Sequence, residues 1–394
     1  MSMKRILIAN VGSTSYKYTL FDASADGTCN ELVRGGMDRV SDYETAIKQS
    51  LEDLQVKGYS QDGIDAVAFK TVLGKDVSGL REGDEVVLKA LEDMSFVAPA
   101  HNPPYAAAIR AFGKVLPSAK KVVLFETSFY QWADKAWKRY AVPQSWDEIG
   151  IRRNGFHGAS HKFAAERAAE LCGRNDAAES AKMLYVNNAP AKLDKPFRLI
   201  NCHLGGSSSI CGILNGAAVG ASMGFSPQSG LPQNNRVGDL DSTAIPYAMA
   251  TLGISAEEAM RQLSKEGGLL GISGVSNDMR DLVAASKEGN ENAKLAIDVL
   301  IYNARAYIGQ FMVLLGGVDA ICFSGGIAEN NPWLRKAILE PLKAFGLELD
   351  EQANDAAVKK DAVISSENSK IKAVTAVANE ELVIVREAAK YLEK

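Results

Sequence analysis

Two stretches of this chain repeat one pattern, and the repeat limits the folds open to it. The first runs from Arg5 to Asp22 around Asn10-Val11-Gly12-Ser13-Thr14-Ser15-Tyr16-Lys17. The second runs from Phe197 to Gly216 around His203-Leu204-Gly205-Gly206-Ser207-Ser208-Ser209. Each reads as an apolar strand, a Gly/Ser/Thr loop and a second strand. Small residues let backbone approach an anion, and N–H and hydroxyl donors point into such a loop. A P-loop is excluded, because a strand follows where a helix should. One Gly-Ser hairpin is no more than a turn. Two, in corresponding places in the two halves, predict a duplicated fold.

The rest of the chain alternates strands with helices, which implies an α/β class. Ala66-Val67-Ala68-Phe69, Lys121-Val122-Val123-Leu124-Phe125 and Ala320-Ile321-Cys322-Phe323 read as buried strands. Ser160 to Leu171 reads as a helix with Phe163, Ala164 and Leu171 on one side. Asn292 to Leu315 reads as a long amphipathic helix, its apolar stripe being Leu295, Val299, Tyr302 and Ile308. Ser324-Gly325-Gly326-Ile327 reads as a tight turn into a helix, Asn187 to Lys195 as a polar surface loop, and Glu380 to Leu392 as a closing helix. At 394 residues the length favours two domains. The boundary is expected near Gly150: residues 1–150 with the closing helix (about 380–394) form one lobe, and residues 151–379 the other.

A net charge of −4 without a basic block argues against nucleic acid as a partner. No stretch is long enough to cross a membrane uninterrupted, and a strand begins too early to leave room for a signal peptide. Cys29, Cys172, Cys202, Cys211 and Cys322 lack CxxC spacing. They predict buried thiols in a reducing compartment, so the expected location is cytoplasmic.

All four histidines fall in motif-like segments. His101 lies in Ala98-Pro99-Ala100-His101-Asn102-Pro103-Pro104. His157 and His161 lie in Phe156-His157-Gly158-Ala159-Ser160-His161, and His203 adjoins the second loop. A lone histidine of this kind is ordinarily a hydrogen-bonded core or loop residue. The 157/161 spacing permits a metal pair on a helix face, but no HExxH and no acidic third ligand accompany it, which argues against zinc.

These segments resemble the acetate kinase family, propionate kinases included, within the sugar kinase/Hsp70/actin superfamily. The matching stretches are the first loop, Ala98 to Pro104, Gly150 to Lys162, Ser222-Met223-Gly224-Phe225-Ser226-Pro227, Asn235-Arg236-Val237-Gly238-Asp239, Glu266 to Gly274, Phe323 to Asn330, and Asn379-Glu380-Glu381-Leu382. They cover nearly the whole chain in the family's order. The resemblance implies two lobes with ribonuclease H-like cores, closing on a cleft, in a homodimer. It implies transfer of the γ-phosphoryl group of ATP to a small carboxylate, reversibly, giving an acyl phosphate and ADP with Mg2+. Such transfer is mostly positioning and charge neutralisation.

By the same resemblance, Asn10, Ser13, Ser15 and Lys17 form the first phosphate loop, and His203, Gly205, Gly206 and Ser207 the second. Asp278, Met279 and Arg280 contact the adenosine, with Gly325, Gly326, Ile327 and Asn330 in the turn beside it. Arg236 meets both carboxylate and phosphoryl, and His157 donates to the phosphoryl oxygens with His101 nearby. Asn10 and Glu380 hold magnesium, Glu380 directly or through water. Val72, Ala100, Phe156 and Pro227 line the acyl pocket, and Lys70, His101 and Arg236 complete the substrate-binding set.

The match breaks at its centre. The family's His-Arg-Val-Val-His-Gly-Gly is here Phe69-Lys70-Thr71-Val72-Leu73-Gly74-Lys75, so the arginine is Lys70. A lysine keeps the charge but not the planar two-pronged grip. Phe-Asp-Thr is here Phe125-Glu126-Thr127, making the catalytic acid Glu126, and the phosphate-loop asparagine is Gly206. Lys70 and Glu126 read either as a compensating pair, both catalytic, or as drift. Ala100 replaces a common leucine, which admits a longer acyl chain unless a neighbour such as Tyr105 refills the space. The expected activity is therefore phosphorylation of acetate or a somewhat larger acid. The alternatives are a paralogue acting on a different carboxylate and a nucleotide-binding regulatory protein with little catalysis. Retention of Arg236, His157 and Glu380 weighs against the last.

Overall fold

Two six-stranded sheets carry the chain, and they are wired alike. The structure, a computed structural model, describes residues 2–12 and 14–394. The first sheet holds β1 (Lys4–Val11), β2 (Ser15–Ala23), β3 (Cys29–Asp38), β4 (Ala66–Thr71), β5 (Leu80–Glu82) and β6 (Lys120–Phe125), in the order β3-β2-β1-β4-β6-β5. The second holds β7 (Arg198–Leu204), β8 (Ser208–Leu214), β9 (Ala217–Ala221), β10 (Ala320–Ser324), β11 (Ala362–Val363) and β12 (Lys372–Thr375). From its other edge the order is β9-β8-β7-β10-β12-β11, the same route through the sheet. In both, an antiparallel meander is followed by two strands added in parallel and one antiparallel edge strand. The duplication expected from the two loops is thus present in the whole topology.

The central strands are apolar runs, Ile6-Leu7-Ile8-Ala9 in β1 and Leu199-Ile200 in β7, because both sheet faces are covered. The last helix, Glu380–Leu392, returns to the first sheet. Its Val383, Ile384 and Ala388 pack with Ile6, Ile8, Ala66, Ala68 and Leu124. Helix Gly158–Leu171 lies between the two sheets: Ala159 and Phe163 join that same cluster, while Ala164, Ala165 and Ala168 pack with Leu199 and Cys211 of the second sheet. The two helices are locked together by buried charges. Lys162 Nζ lies 2.6 Å from Glu166 and 3.2 Å from Glu387, and Arg386 reaches Glu166 at 2.8 Å. Each helix begins at the candidate site, so this lock fixes the two starting points relative to one another.

Helix Glu291–Leu314 forms as expected, but its buried face differs. Ala293, Ala296, Ile297, Leu300, Ala304, Ile308 and Phe311 are buried, whereas Leu295 and Tyr302 are 51% and 73% exposed. The helix is apolar on two sides, and the side rich in alanine comes close enough to the sheet to be covered. Leu295 and Tyr302, like Tyr247 and Leu252 of helix Ala244–Leu252, are exposed apolar side chains. Among the described residues the five cysteines are free, with Cys202, Cys211 and Cys322 buried, and no helix is long and apolar enough to cross a membrane.

Candidate active site

Lys70 is the penultimate residue of β4, and Glu126 directly follows β6, its parallel neighbour. Parallel pairing therefore brings both to the same sheet edge, where Lys70 Nζ lies 2.8 Å from Glu126 Oε1. The same ammonium is hydrogen-bonded to Glu380, the first residue of the closing helix. Glu126 is only 5% exposed, and its other oxygen accepts the Ala159 N–H at 3.3 Å. A side chain at Gly158 would collide with the Glu126 carbonyl oxygen, so glycine is what lets this helix start so close to the acid. Burial pulls the Lys70 ammonium down, but the charges of Glu126 and Glu380 overcome it, and the net shift is well upward. Glu126 is pushed up by burial and by Glu380, which Lys70 only partly offsets. Burial also opposes ionisation of Glu380, but Lys70 and His203 hold its carboxyl below the ordinary value.

Three histidines adjoin this group, with the His157 and His203 ring centroids 4.5 Å apart. Asn201 Nδ2 lies 2.8 Å from His161 Nδ1, His161 Nε2 lies 2.8 Å from Ser209 Oγ, and that oxygen lies 2.8 Å from His157 Nδ1. With the amide nitrogen donating, neutral His161 carries its proton on Nε2 and gives it to Ser209. The hydroxyl then donates to His157 Nδ1, which leaves the His157 proton on Nε2. His157 itself sits at φ 58°, outside the usual range for a side-chain-bearing residue. Such backbone costs about 1–3 kcal/mol and concentrates at functional sites. His203 is fixed by Ser160 Oγ, 2.7 Å from its Nδ1.

Burial drives His157 and His161 well below the ordinary histidine pKa, and neighbouring rings add to it. His203 is lowered by burial too, and His101 falls to about 4 through burial and then Arg236, Lys70 and Lys265. All four are neutral donors at neutral pH. Unfolded histidine titrates near 6.5, so below that pH the unfolded chain binds more protons than the folded one. The histidine contribution to stability is therefore complete above about pH 7 and is lost as pH falls from about 6.5 toward 4. The thermal midpoint should drop over that interval, and less steeply in His101→Gln. Equal slopes in wild type and variant would show that His101 is not held neutral.

The second loop meets Arg236. Its Nη1 donates to Ser207 Oγ at 3.1 Å and to Gln233 Oε1 at 3.2 Å, and Gln233 Nε2 is anchored on the Pro227 carbonyl at 2.7 Å. Arg236 is half-buried and has no anionic partner among the described residues, so burial alone lowers its pKa. The place of the missing amide at Gly206 is partly taken by Asn234. Its Nδ2 lies 3.7 Å from where a Cβ on Gly206 would stand, and its Oδ1 is buried without a partner. Because β7 and β10 are parallel neighbours, His203 pairs with Ser324 and the Gly325-Gly326 turn comes beside Gly205. Gly325 has φ 84°, and a side chain there would press on the Leu204 backbone. Glu329 ties this turn to the approach of the closing helix by accepting from Gly325 N at 2.8 Å and Ala378 N at 3.0 Å.

The remaining expected residues are distributed unevenly. Asn10 is the penultimate residue of β1, opposite Lys17, and faces the Tyr105 hydroxyl at 3.5 Å, whereas Lys17 is exposed. Ser15 begins β2, and Ser13 lies outside the described residues. Asp278 caps helix Met279–Lys287 and pairs with the exposed Arg280, while Met279 is buried in the core. Ile327 and Asn330 lie in the short helix Gly326–Asn330. Val72 and Phe156 belong to a small apolar cluster with Leu73, Met94 and Met223. Ala100, His101, Pro227 and Arg236 line one cleft of about 570 Å³ with Met260 and Lys265. Tyr105 does not refill the space: it is buried with its hydroxyl on Val11 N–H, and Ala100 stays exposed to the cleft. Asn201, Ser209, Gln233, Asn234 and Glu329 were not singled out from the sequence. Only Ser209 and Glu329 stand within recognised motifs, and nothing local marks the others.

The acetokinase family, as a family model, matches residues 37–386. Acetate kinase of Halothermothrix orenii is 36% identical over 419 residues, covering 99% of this chain and 100% of that one. Among solved structures, Porphyromonas gingivalis acetate kinase superposes with a TM-score of 0.86 at 29% identity, covering 99% of this chain and 100% of that one. A propionate kinase from Francisella tularensis subsp. tularensis SCHU S4 gives 0.81 at 28% identity, covering 98% and 99%.

Proposed function

The chain belongs to the acetokinase family, and on that premise we propose that it phosphorylates a short-chain carboxylate with ATP, giving an acyl phosphate and ADP. The observation that carries this reading is Arg236: a half-buried guanidinium without an anionic partner among the described residues, hydrogen-bonded to the second phosphate loop. A cation kept from water and left unpaired is poised for an anion. In the reaction a carboxylate oxygen attacks the γ-phosphorus while its bond to the ADP oxygen breaks. Negative charge on the transferring group is met by Arg236, by the His157 Nε2–H and by the second loop at Gly206 and Ser207. Asn234 supplies the amide that Gly206 lacks. No protein base is needed, because the acceptor is already an anion.

Magnesium was expected on Asn10 and Glu380. The donors present do not suit a protein-held ion, because the Glu380 carboxylate is already bonded to Lys70. Magnesium is accordingly assigned to the substrate, as the nucleotide complex.

The acid is larger than acetate. Ala100 leaves its side of the cleft open between His101, Pro227 and Met260. Each extra methylene in an apolar pocket is worth about 1–3 kcal/mol, so preference shifts rather than switches. Trapping acyl phosphates with hydroxylamine across acetate, propionate, butyrate and valerate should give a longer acid the highest kcat/KM, and Ala100→Leu should move the order back toward acetate. An acetate preference unchanged by Ala100→Leu would remove the larger-acid reading and leave the kinase reading standing. No turnover of any acid would remove both.

A further inference from the structure

Lys70 stands between two carboxylates brought from distant parts of the chain. We propose that the Lys70 ammonium is this protein's own resident cation, filling the seat between Glu126 and Glu380 that a divalent ion would otherwise take. The inference deepens the kinase reading, on which it rests, and its test does not depend on turnover.

Three observations support it. First, one nitrogen bridges two carboxylates that come from distant parts of the chain: Lys70 Nζ lies 2.8 Å from Glu126 Oε1 and is hydrogen-bonded to Glu380 Oε2. Glu126 is further committed to the Ala159 N–H. Magnesium keeps several waters and is held by one or two carboxylates, and here one oxygen of each acid is already engaged by the ammonium. Second, the ammonium is held from both sides: Lys70 Nζ pairs with Glu126 and with Glu380, and their charges keep it protonated against burial. A divalent ion added to the free protein would stand against an ammonium held in place from β4. Third, the two departures explain each other. A lysine is a compact charge with three donors, able to bridge two acids as a metal does, and a guanidinium is a planar fork that cannot occupy so small a seat. The longer Glu126 carries its carboxylate out to the ammonium. Lys70 is therefore occupied in holding the two acids, and Arg236 alone is left to grip substrate.

Manganese, as a spectroscopic substitute for magnesium, tests the seat without nucleotide. Electron paramagnetic resonance should show wild-type protein leaving Mn2+ free into the millimolar range. Lys70→Met, with two unbridged carboxylates, should gain one site per chain, tighter by about tenfold or more, and Lys70→Met/Glu380→Gln should lose it again. Tight Mn2+ binding by the wild type that Glu380→Gln abolishes would overturn the proposal, as would a Lys70→Met variant binding no better than wild type. A second measurement needs no variant. In protein labelled with nitrogen-15 lysine, the Lys70 Nζ resonance should be slowly exchanging and unmoved by added Mg2+. Its displacement by Mg2+ would also overturn the assignment.

Discussion

Arg236→Ala is expected to lower kcat by about 10³-fold or more while the thermal midpoint stays near that of wild type. The expectation follows from the pairing of the cations. Lys70 is held by Glu126 and Glu380, whereas Arg236 is hydrogen-bonded only to the neutral Ser207 and Gln233. It is the one cation at the centre with no carboxylate on it among the described residues. Its two partners aim the guanidinium without discharging it, so the charge is available when phosphoryl oxygens gather negative charge. Removing it leaves no anion stranded in the folded protein, which is why stability should survive. Arg236→Lys should recover only part of the rate, because an ammonium cannot span two oxygens in one plane. Steady-state turnover on the preferred acid, with calorimetry on the same samples, decides the matter. A variant that turns over at near the wild-type rate would place the reacting groups elsewhere in the cleft.

Much of this arrangement was legible before the structure, and the illegible part has a physical pattern. The paired loops announced the duplication because each is a local device: a strand, a few small residues, a strand. The closing helix was bounded correctly at Glu380 and Leu392 because its N-cap and apolar spacing are local as well. What could not be read was which partner each side chain would meet. Lys70 and Glu380 stand 310 positions apart, and only the return of the last helix to the first sheet joins them. Leu295 and Tyr302 have the spacing of a buried stripe, yet the face that packs is the one with small alanines at closest approach. Asp278 and Arg280 read as ligand-facing residues, and their pairing with each other at a helix cap was not legible beside that. The link from Asn201 to His157 passes through residues from two strands and a helix start, so no spacing rule reveals it.

Reverting the two altered centre residues should be non-additive. Lys70→Arg alone forces a wider guanidinium between Glu126 and Glu380, where a single nitrogen now reaches both. Glu126→Asp alone draws the carboxylate back by one methylene and opens the 2.8 Å contact, leaving the half-buried ammonium underpaired. Each single change should therefore cut turnover. Made together, the fork gains room on the side where the acid has withdrawn, and part of the loss should return. Contacting charges couple by about 0.5–3 kcal/mol, which is well outside the scatter expected of independent sites. The coupling should appear in kcat and also in the thermal midpoint, because Glu126 is buried and Lys70 and Glu380 are half-buried in the free protein. If the free energies of the two single variants simply sum in the double variant, Lys70 and Glu126 changed independently. Glu380 would then be the only acid that fixes the ammonium.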